Sequence, residues 1–317
     1  MTVTTLHEEA FDQWNDFVDA SPQCSLFAKT WYLKALDISF EIVVCSKKEV
    51  IKGGIVLTKD KWGYYINPVL CKYLGIYFFP FEGNAYTVES RQREVQIALL
   101  EHINQLNSFE YTFHPNYLNW MPFERAGFKQ TTRYTYIMPL ADLDEGEVIS
   151  NLNGRLRNKI VKASSLDFQE VTDFSTAMPV LETTYKRQGL DLPISKSRLK
   201  NLIQALNRHH AFQLMGAYDG QKQLQAVLGM FYDHRTAYLI LNGVEESAEN
   251  GVNEALILKG IHWSKQKGLQ IFDFEGSMIP SIESFYRQFG GTLTPYFKIW
   301  KDSKQRTLRN LKQKIIS

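Results

Sequence analysis

The sequence has few cysteines and no long hydrophobic run. Its three cysteines, Cys24, Cys45 and Cys71, are odd in number and have no paired metal-ligand spacing. We therefore expect reduced, mostly buried thiols rather than disulfides or a zinc site. No apolar segment approaches the roughly 18 residues of a membrane-spanning helix, and the acidic start lacks the basic flank and apolar core of a signal peptide. These absences predict a cytoplasmic protein without a transmembrane segment.

Several catalytic signatures are also missing. The sequence contains no P-loop, no dinucleotide-binding glycine motif and no Ser-His-Asp order. Kinase, dehydrogenase and serine hydrolase functions therefore have no support. The histidines share no ligand spacing, so no metal site is predicted. A DNA partner is not expected either.

What the sequence does have is the composition of an ordinary globular protein, with 44% hydrophobic and 22% charged residues. A chain of 317 residues exceeds one hydrophobic core, which predicts two domains. Residues 301–317, "KDSKQRTLRNLKQKIIS", carry six cations against one acid and are predicted to form a basic helix. This helix is compatible with RNA phosphates or with peripheral contact to an anionic membrane. Docking back on the N-terminal domain through its apolar positions is the interpretation that we favour.

A repeat of long period organises the rest of the chain. Two helical segments, 90–107 and 251–268, are each followed by an apolar strand, a short helix, a glycine and another strand. Both short helices carry an aromatic residue four positions before the glycine, Phe123 in the first copy and Tyr286 in the second. Strands of a β-meander are predicted upstream of each copy, the first including residues 62–70. The pattern predicts mixed α/β layers in two domains.

This doubled pattern resembles the FemABX family, in which tandem GNAT-type domains transfer amino acids from aminoacyl-tRNA to peptidoglycan precursors. The similar segments cover nearly the whole chain: "LFAKTWYLKAL", "RLRNKIVKA", "TYKRQG", and "YLILNGVEES" through "FDFEGS". The resemblance implies an α/β (α+β) fold of two tandem GNAT-like domains, each a mixed, mostly antiparallel sheet flanked by helices. The expected limits are 1–145 and 146–300, with the basic helix at 301–317.

The resemblance also implies an acyltransferase that forms an amide on an amine of an anionic cell-envelope or polysaccharide precursor. Its donor would be aminoacyl-tRNA or acyl-CoA, as a co-substrate rather than a tightly bound cofactor. The sequence disfavours the usual site for the coenzyme A diphosphate, because Glu245, Glu246 and Glu249 precede Gly251 and no arginine or glutamine lies three residues before it. The alternative function is a catalytically inactive binding or scaffolding protein.

Four residues near the end of the second copy are the catalytic candidates. Asp273 and Glu275 alternate with phenylalanines, so we expect both carboxylates on one face of a strand, where one could accept the proton of an attacking amine. The resemblance places Tyr286 where single-domain acyltransferases keep a tyrosine that protonates the leaving thiolate. Arg287 lies beside it, near a position where the peptidoglycan enzymes have a lysine. Helix capping, ion pairing or core packing remains open for these side chains.

Basic residues are the candidates for binding the anionic substrate. Lys34 matches a lysine that the peptidoglycan enzymes use on a nucleotide diphosphate, and a surface role over Trp31 is equally open. The acceptor-binding arginine and tyrosine of those enzymes align with Ser197 and Asn201, a departure from the family pattern. The other candidates, for which a solvated surface is also open, are Arg155, Arg157, Lys159, Tyr185 and Arg187.

Overall fold

The computed structural model describes residues 1–141, 143, 152–276, 278–302 and 307. The predicted basic helix at 301–317 and the predicted boundary at 145/146 lie almost entirely outside these residues. Contacts divide the chain into two compact units: unit 1 is Met1–Arg133 with the segment that begins at Pro295, and unit 2 is Tyr134–Thr294. No helix within the described part of the chain combines the length and apolarity needed to cross a membrane.

Helices and strands occur in mixed order along the chain. The helices are α1 (Phe11–Ala20), α2 (Thr30–Ala35), α3 (Ala85–Ile103), α4 (Met121–Arg125), α5 (Gly154–Lys162), α6 (Phe174–Arg187), α7 (Lys196–Arg208), α8 (Val252–Gln266) and α9 (Pro280–Arg287). The strands are β1 (Thr2–Thr5), β2 (Phe40–Lys47), β3 (Val50–Thr58), β4 (Tyr77–Phe78), β5 (Glu110–Thr112), β6 (Lys129–Pro139), β7 (Asp167–Glu170), β8 (Phe212–Tyr218), β9 (Leu224–Tyr232), β10 (Thr236–Val244), β11 (Ile271–Asp273) and β12 (Thr292–Trp300).

The predicted repeat is present. The first copy runs α3, β5, α4 and β6, and the second runs α8, β11, α9 and β12. After each short helix the chain turns at a glycine with positive φ, 82° at Gly127 and 83° at Gly290, a conformation that favours a residue without a Cβ. The predicted α/β fold of tandem GNAT-like domains is confirmed.

Unit 1 contains an antiparallel sheet in the order β1-β2-β3-β4. The sequence predicted a strand over residues 62–70, and this prediction is wrong. The Asp60 carboxylate accepts hydrogen bonds from the backbone N–H groups of Trp62 and Tyr64, which fixes a turn there. The fourth strand is instead the short β4.

Unit 2 contains the strands in the order β6-β11-β10-β9-β8-β7, all antiparallel neighbours except the parallel pair β10 and β11. Helices cover both faces of this sheet. Gly243 of β10 packs against the backbone of α6 and against Val227, whereas Gly260 of α8 packs against Leu228. Because successive strand residues point to opposite faces, α6 and α8 lie on opposite sides of β9.

The last strand of each copy pairs with a strand of the other copy. β6, which ends the first copy, pairs with β11 through residues 137–139 in unit 2. β12, which ends the second copy, pairs with β5 through residues 298–300 in unit 1. The contact-based units therefore change inside β6 and β12 rather than at 145/146. As domain limits, 1–145 and 146–300 stay a prediction.

The first turn of α8 is covered by α5. Gly251 precedes α8 with φ of 102°, and a Cβ built on it would lie 2.3 Å from the carbonyl oxygen of Lys159. The Lys159 ammonium group forms an ion pair with Glu254 in the first turn of α8, with Nζ and Oε1 2.9 Å apart. Two backbones therefore meet at Gly251, and only glycine fits there.

We predict that Gly251→Ala destabilises the protein more than Gly268→Ala. Both glycines have positive φ, so both substitutions incur a conformational cost of about 1 kcal/mol. A Cβ at Gly268 meets nothing within 4 Å, whereas one at Gly251 clashes with backbone, which adds about 1–3 kcal/mol. Urea unfolding of both variants measures the difference. Equal midpoints would show that α5 does not pack on α8 as described.

Candidate active site

The parallel strands of unit 2 separate at their carboxyl ends. β10 and β11 pair at three positions, the last joining Tyr238 to Asp273, where β11 ends. β10 continues to Val244, with a bulge between Leu239 and Leu241 in its pairing with β9. Ligands of α/β sheets bind beyond the carboxyl ends of strands, and the pairing of β10 with β11 stops at such a place.

A tight turn follows β11 and holds the two predicted carboxylates. Asp273 is only 2% exposed, and its Oδ1 accepts hydrogen bonds from the Thr135 hydroxyl at 2.5 Å and from the Glu275 N–H at 2.8 Å. Glu275 and Gly276 have φ of 62° and 49°. A Cβ on Gly276 would lie 2.4 Å from the carbonyl oxygen of Tyr134, so the turn requires glycine.

This turn corrects the expectation that Asp273 and Glu275 share one strand face. β11 ends at Asp273, and the left-handed backbone of Glu275 breaks the alternation of a strand. Asp273 is directed into the turn, whereas Glu275 lies close enough to Tyr286 for its charge to act on the phenol. The catalytic roles assigned to both residues stay predictions.

Tyr286 lies within electrostatic range of Glu275 and Tyr185. Its ring packs on Phe274 with 5.5 Å between ring centroids. Burial raises the pKa of Tyr286, and the charges of Glu275 and Tyr185 raise it further. A carboxylate and a second phenol from two other parts of the chain therefore lie within electrostatic range of Tyr286.

Helix α6 supplies Tyr185 to this cluster. The preceding residue, Thr184, donates a hydrogen bond to the Val244 carbonyl at 3.1 Å and accepts one from the Val244 N–H at 2.8 Å, which ties α6 to the end of β10. Burial raises the pKa of Tyr185. A cleft of about 800 Å³ opens beside this side chain, between α6 and residues 190–196. Tyr185 therefore lies between the cleft and Tyr286.

Helix α9, which carries Tyr286 and Arg287, is fastened to β6. The Tyr136 hydroxyl donates a hydrogen bond to Oε1 of Glu283 at 2.5 Å. The same oxygen lies 3.8 Å from Nε of Arg287, which is longer than a hydrogen bond. Burial, with a further contribution from Glu283, raises the pKa of Tyr136. Arg287 is 64% exposed at the end of the helix.

The remaining sequence candidates have other neighbours or are exposed. Lys34 belongs to unit 1, where its Nζ lies 3.3 Å from Glu8 and 5.0 Å from the ring of Phe11 rather than over Trp31. Lys159 is paired with Glu254. The other three are exposed, two on α5 and one at the end of α6: Arg155, Arg157 and Arg187. Substrate binding by all five stays a prediction.

Sequence reasoning missed three residues that shape the site: Thr135, Tyr136 and Glu283. The spacing of Glu283 and Arg287, i and i+4 on a short helix, indicated a pair of opposite charges. Nothing in the sequence indicated that Thr135 and Tyr136 would contact Asp273 and Glu283, because these partners are 138 and 147 residues away.

Comparisons with known proteins bear on the fold. Residues 151–281 match the family model described as "Acetyltransferase (GNAT) domain". Among solved structures, FemX matches with a TM-score of 0.71 at 11% identity over 93% of this chain and 96% of its own. The C-terminal domain of a putative lysylphosphatidylglycerol synthetase from Agrobacterium fabrum matches with a TM-score of 0.62 at 11% identity, covering 97% and 96%. A tandem GNAT protein from the clavulanic acid biosynthesis pathway gives 0.53 at 10%, covering 94% and 98%.

No curated protein matches the chain. At these identities the structural matches show the fold alone. The match to the family model lies within unit 2 and spans less than half of the chain. The whole chain has the FemABX-like, tandem GNAT fold that its sequence resembles.

We predict that Thr135→Val destabilises the protein, whereas Thr236→Val does not. Both threonines are buried in unit 2. The Thr135 hydroxyl donates to the buried Asp273 carboxylate, so its loss costs about 1–3 kcal/mol. Within the described residues the Thr236 hydroxyl makes no hydrogen bond, so removing it should cost less than about 0.5 kcal/mol. Urea unfolding at pH 7 compares them, and equal losses would contradict the role given to Asp273 in the turn.

Proposed function

We propose that the protein is an aminoacyltransferase that forms an amide between an aminoacyl-tRNA and an amine of an anionic cell-envelope or polysaccharide precursor. The observation that carries the proposal is that Glu275 follows the end of β11 and that Tyr286 lies within electrostatic range of both Glu275 and Tyr185. Amide formation from an ester needs the acceptor and the carbonyl held together, a base for the amine proton and an acid for the leaving oxygen.

The proton transfers are assigned to Glu275 and Tyr286. The acceptor amine attacks the ester carbonyl and forms the new C–N bond, and its surplus proton passes to the Glu275 carboxylate. The ester C–O bond then breaks, and the Tyr286 hydroxyl donates a proton to the leaving oxygen. Because burial and nearby charge raise its pKa, Tyr286 keeps that proton throughout the neutral range.

The same pKa shift favours an ester donor over a thioester. A thiol leaves as a thiolate of pKa near 8.5, so it gains little from an acid weaker than an ordinary tyrosine of pKa about 10. An alcohol is a far weaker acid, and its oxygen needs the proton of a donor such as Tyr286. The ester of aminoacyl-tRNA has this kind of leaving group, and it is made in the cytoplasm, where the sequence predicts the protein to be.

The packing of α5 also weighs against conventional coenzyme A binding. A diphosphate binds well at the backbone N–H groups of a helix N-terminus. At the start of α8 the Lys159 carbonyl oxygen packs against Gly251 instead, and Glu246 and Glu249 in the preceding loop are exposed. We assign the cleft beside Tyr185 to the acceptor, because a volume of about 800 Å³ suits a small organic molecule and Lys186 lines it.

We expect transfer from a pool of charged tRNAs and none from acyl-CoA. Glu275→Gln and Tyr286→Phe should each lower kcat by about 10²–10⁴-fold, since each removes a general acid or base. The matched controls are Glu124→Gln and Tyr86→Phe, which change exposed residues of unit 1 and should retain wild-type kcat. Release of radiolabelled amino acid from tRNA into an amide of an amine acceptor measures the reaction.

Two results would contradict this proposal in different ways. Transfer from acyl-CoA, with coenzyme A raising the unfolding temperature, would show a thioester donor. If tRNA binds and wild type, Glu275→Gln and Tyr286→Phe behave alike in every assay, the protein is a binding or scaffolding module instead.

A further inference from the structure

Arg287 has an acidic neighbour, Glu283, that lies too far away for a direct hydrogen bond. Oε1 of Glu283 lies 3.8 Å from Nε of Arg287, whereas a charge-assisted hydrogen bond between such groups is about 2.7–2.9 Å long. Within the described residues, the Arg287 guanidinium makes no hydrogen bond. Its side chain is 64% exposed at the end of α9, next to Tyr286.

A residue of β6 explains why Glu283 does not form a close ion pair with Arg287. Tyr136 is 5% exposed, and its hydroxyl donates to the same Glu283 oxygen that faces Arg287. The Tyr136 Cβ lies 3.3 Å from where a Cβ on Gly291 would be, so β6 packs closely against the segment that follows α9. A buried, fixed donor directs the carboxylate toward the sheet and competes with the guanidinium for it.

We infer that Tyr136 is a positioning residue, which holds Glu283 away from Arg287 and so keeps the cation available to a phosphate group of the donor. Without the Tyr136 hydroxyl, the Glu283 carboxylate would close on the guanidinium in a two-point pair, the favoured arrangement of these groups. The positioning can be tested without substrate, and the assignment of the ligand to a phosphate of tRNA rests on the proposed function.

Modification by phenylglyoxal, followed by peptide mass spectrometry, reports how available the Arg287 guanidinium is. We expect Tyr136→Phe to slow modification of Arg287 by at least about threefold, because a closed ion pair occupies the reactive nitrogens. Adding Glu283→Gln to Tyr136→Phe should restore the wild-type rate, because glutamine cannot neutralise the cation. Arg208, exposed at the end of α7, serves as the internal control and should react equally in all variants.

A purely structural role for Tyr136 predicts a different result, in which Tyr136→Phe leaves the Arg287 rate unchanged or raises it and Glu283→Gln gives no rescue. If Tyr136→Phe fails to fold, Glu283→Gln alone tests whether Glu283 is held away from Arg287. In the wild-type background it should change the Arg287 rate by less than about twofold, because the existing pair is long. A larger acceleration would show a close ion pair already present and would overturn the inference.

Binding of bulk uncharged tRNA at increasing NaCl concentrations tests the ligand. Tyr136→Phe and Arg287→Ala should each reduce the slope of log affinity against log salt by about one relative to wild type, as expected for one lost phosphate contact. Slopes equal to that of wild type would overturn the assignment of Arg287 to a phosphate. If wild type binds no tRNA but the modification rates follow the expected order, the proposed donor fails and the positioning role stands.

Discussion

The pairing of β6 with β11 is the constraint on which the geometry of the site depends. It places Thr135 and Tyr136, neighbours on one strand, beside two carboxylates from different elements of the second copy. Adjacent strand residues point to opposite faces, so a single strand can hold both the turn at Asp273 and the helix through Glu283. A strand from the first copy thus builds the site of the second. This exchange gives a physical reason for the copies to occur together, because the second copy alone lacks the strand that orders its carboxylates.

The proposed chemistry depends on a carboxylate, Glu275, within electrostatic range of the Tyr286 phenol. The charges of Glu275 and Tyr185 oppose a negative charge on Tyr286, which keeps this phenol neutral. A carboxylate accepts protons and a neutral phenol donates them, which is the basis for proposing Glu275 as the base and Tyr286 as the acid. Tyr286 is held on α9, and Glu275 is held in the turn that the Asp273 carboxylate stabilises after β11.

The sequence predicted the repeat and the fold well, because their signals are local. Helical periodicity, runs of apolar strand residues and the glycines at 127 and 290 are each recognised within a few residues. The structure confirms the order of the elements that they predict. Strand exchange depends on partners more than one hundred residues apart, so a single sequence carries no signal for it. The shared face expected for Asp273 and Glu275 failed for a local reason, since the strand stops at Asp273 and the next turn is set by backbone geometry. Glu275 and Tyr286 were named from the sequence, but their proximity emerged only in three dimensions.

The contact between α5 and α8 connects the fold to the choice of donor. Gly251 lets α5 approach the start of α8 so closely that the Lys159 carbonyl oxygen packs against the backbone there. A compact diphosphate would otherwise bind at this N-terminus of α8. The same helix displays Arg155 and Arg157 to solvent. A backbone site recognises one small anion at short range, whereas dispersed cations attract an extended polyanion over a longer distance. In this protein the backbone site at the start of α8 is covered, and Arg155 and Arg157 are exposed. This is the arrangement expected if phosphate recognition passed from coenzyme A to RNA.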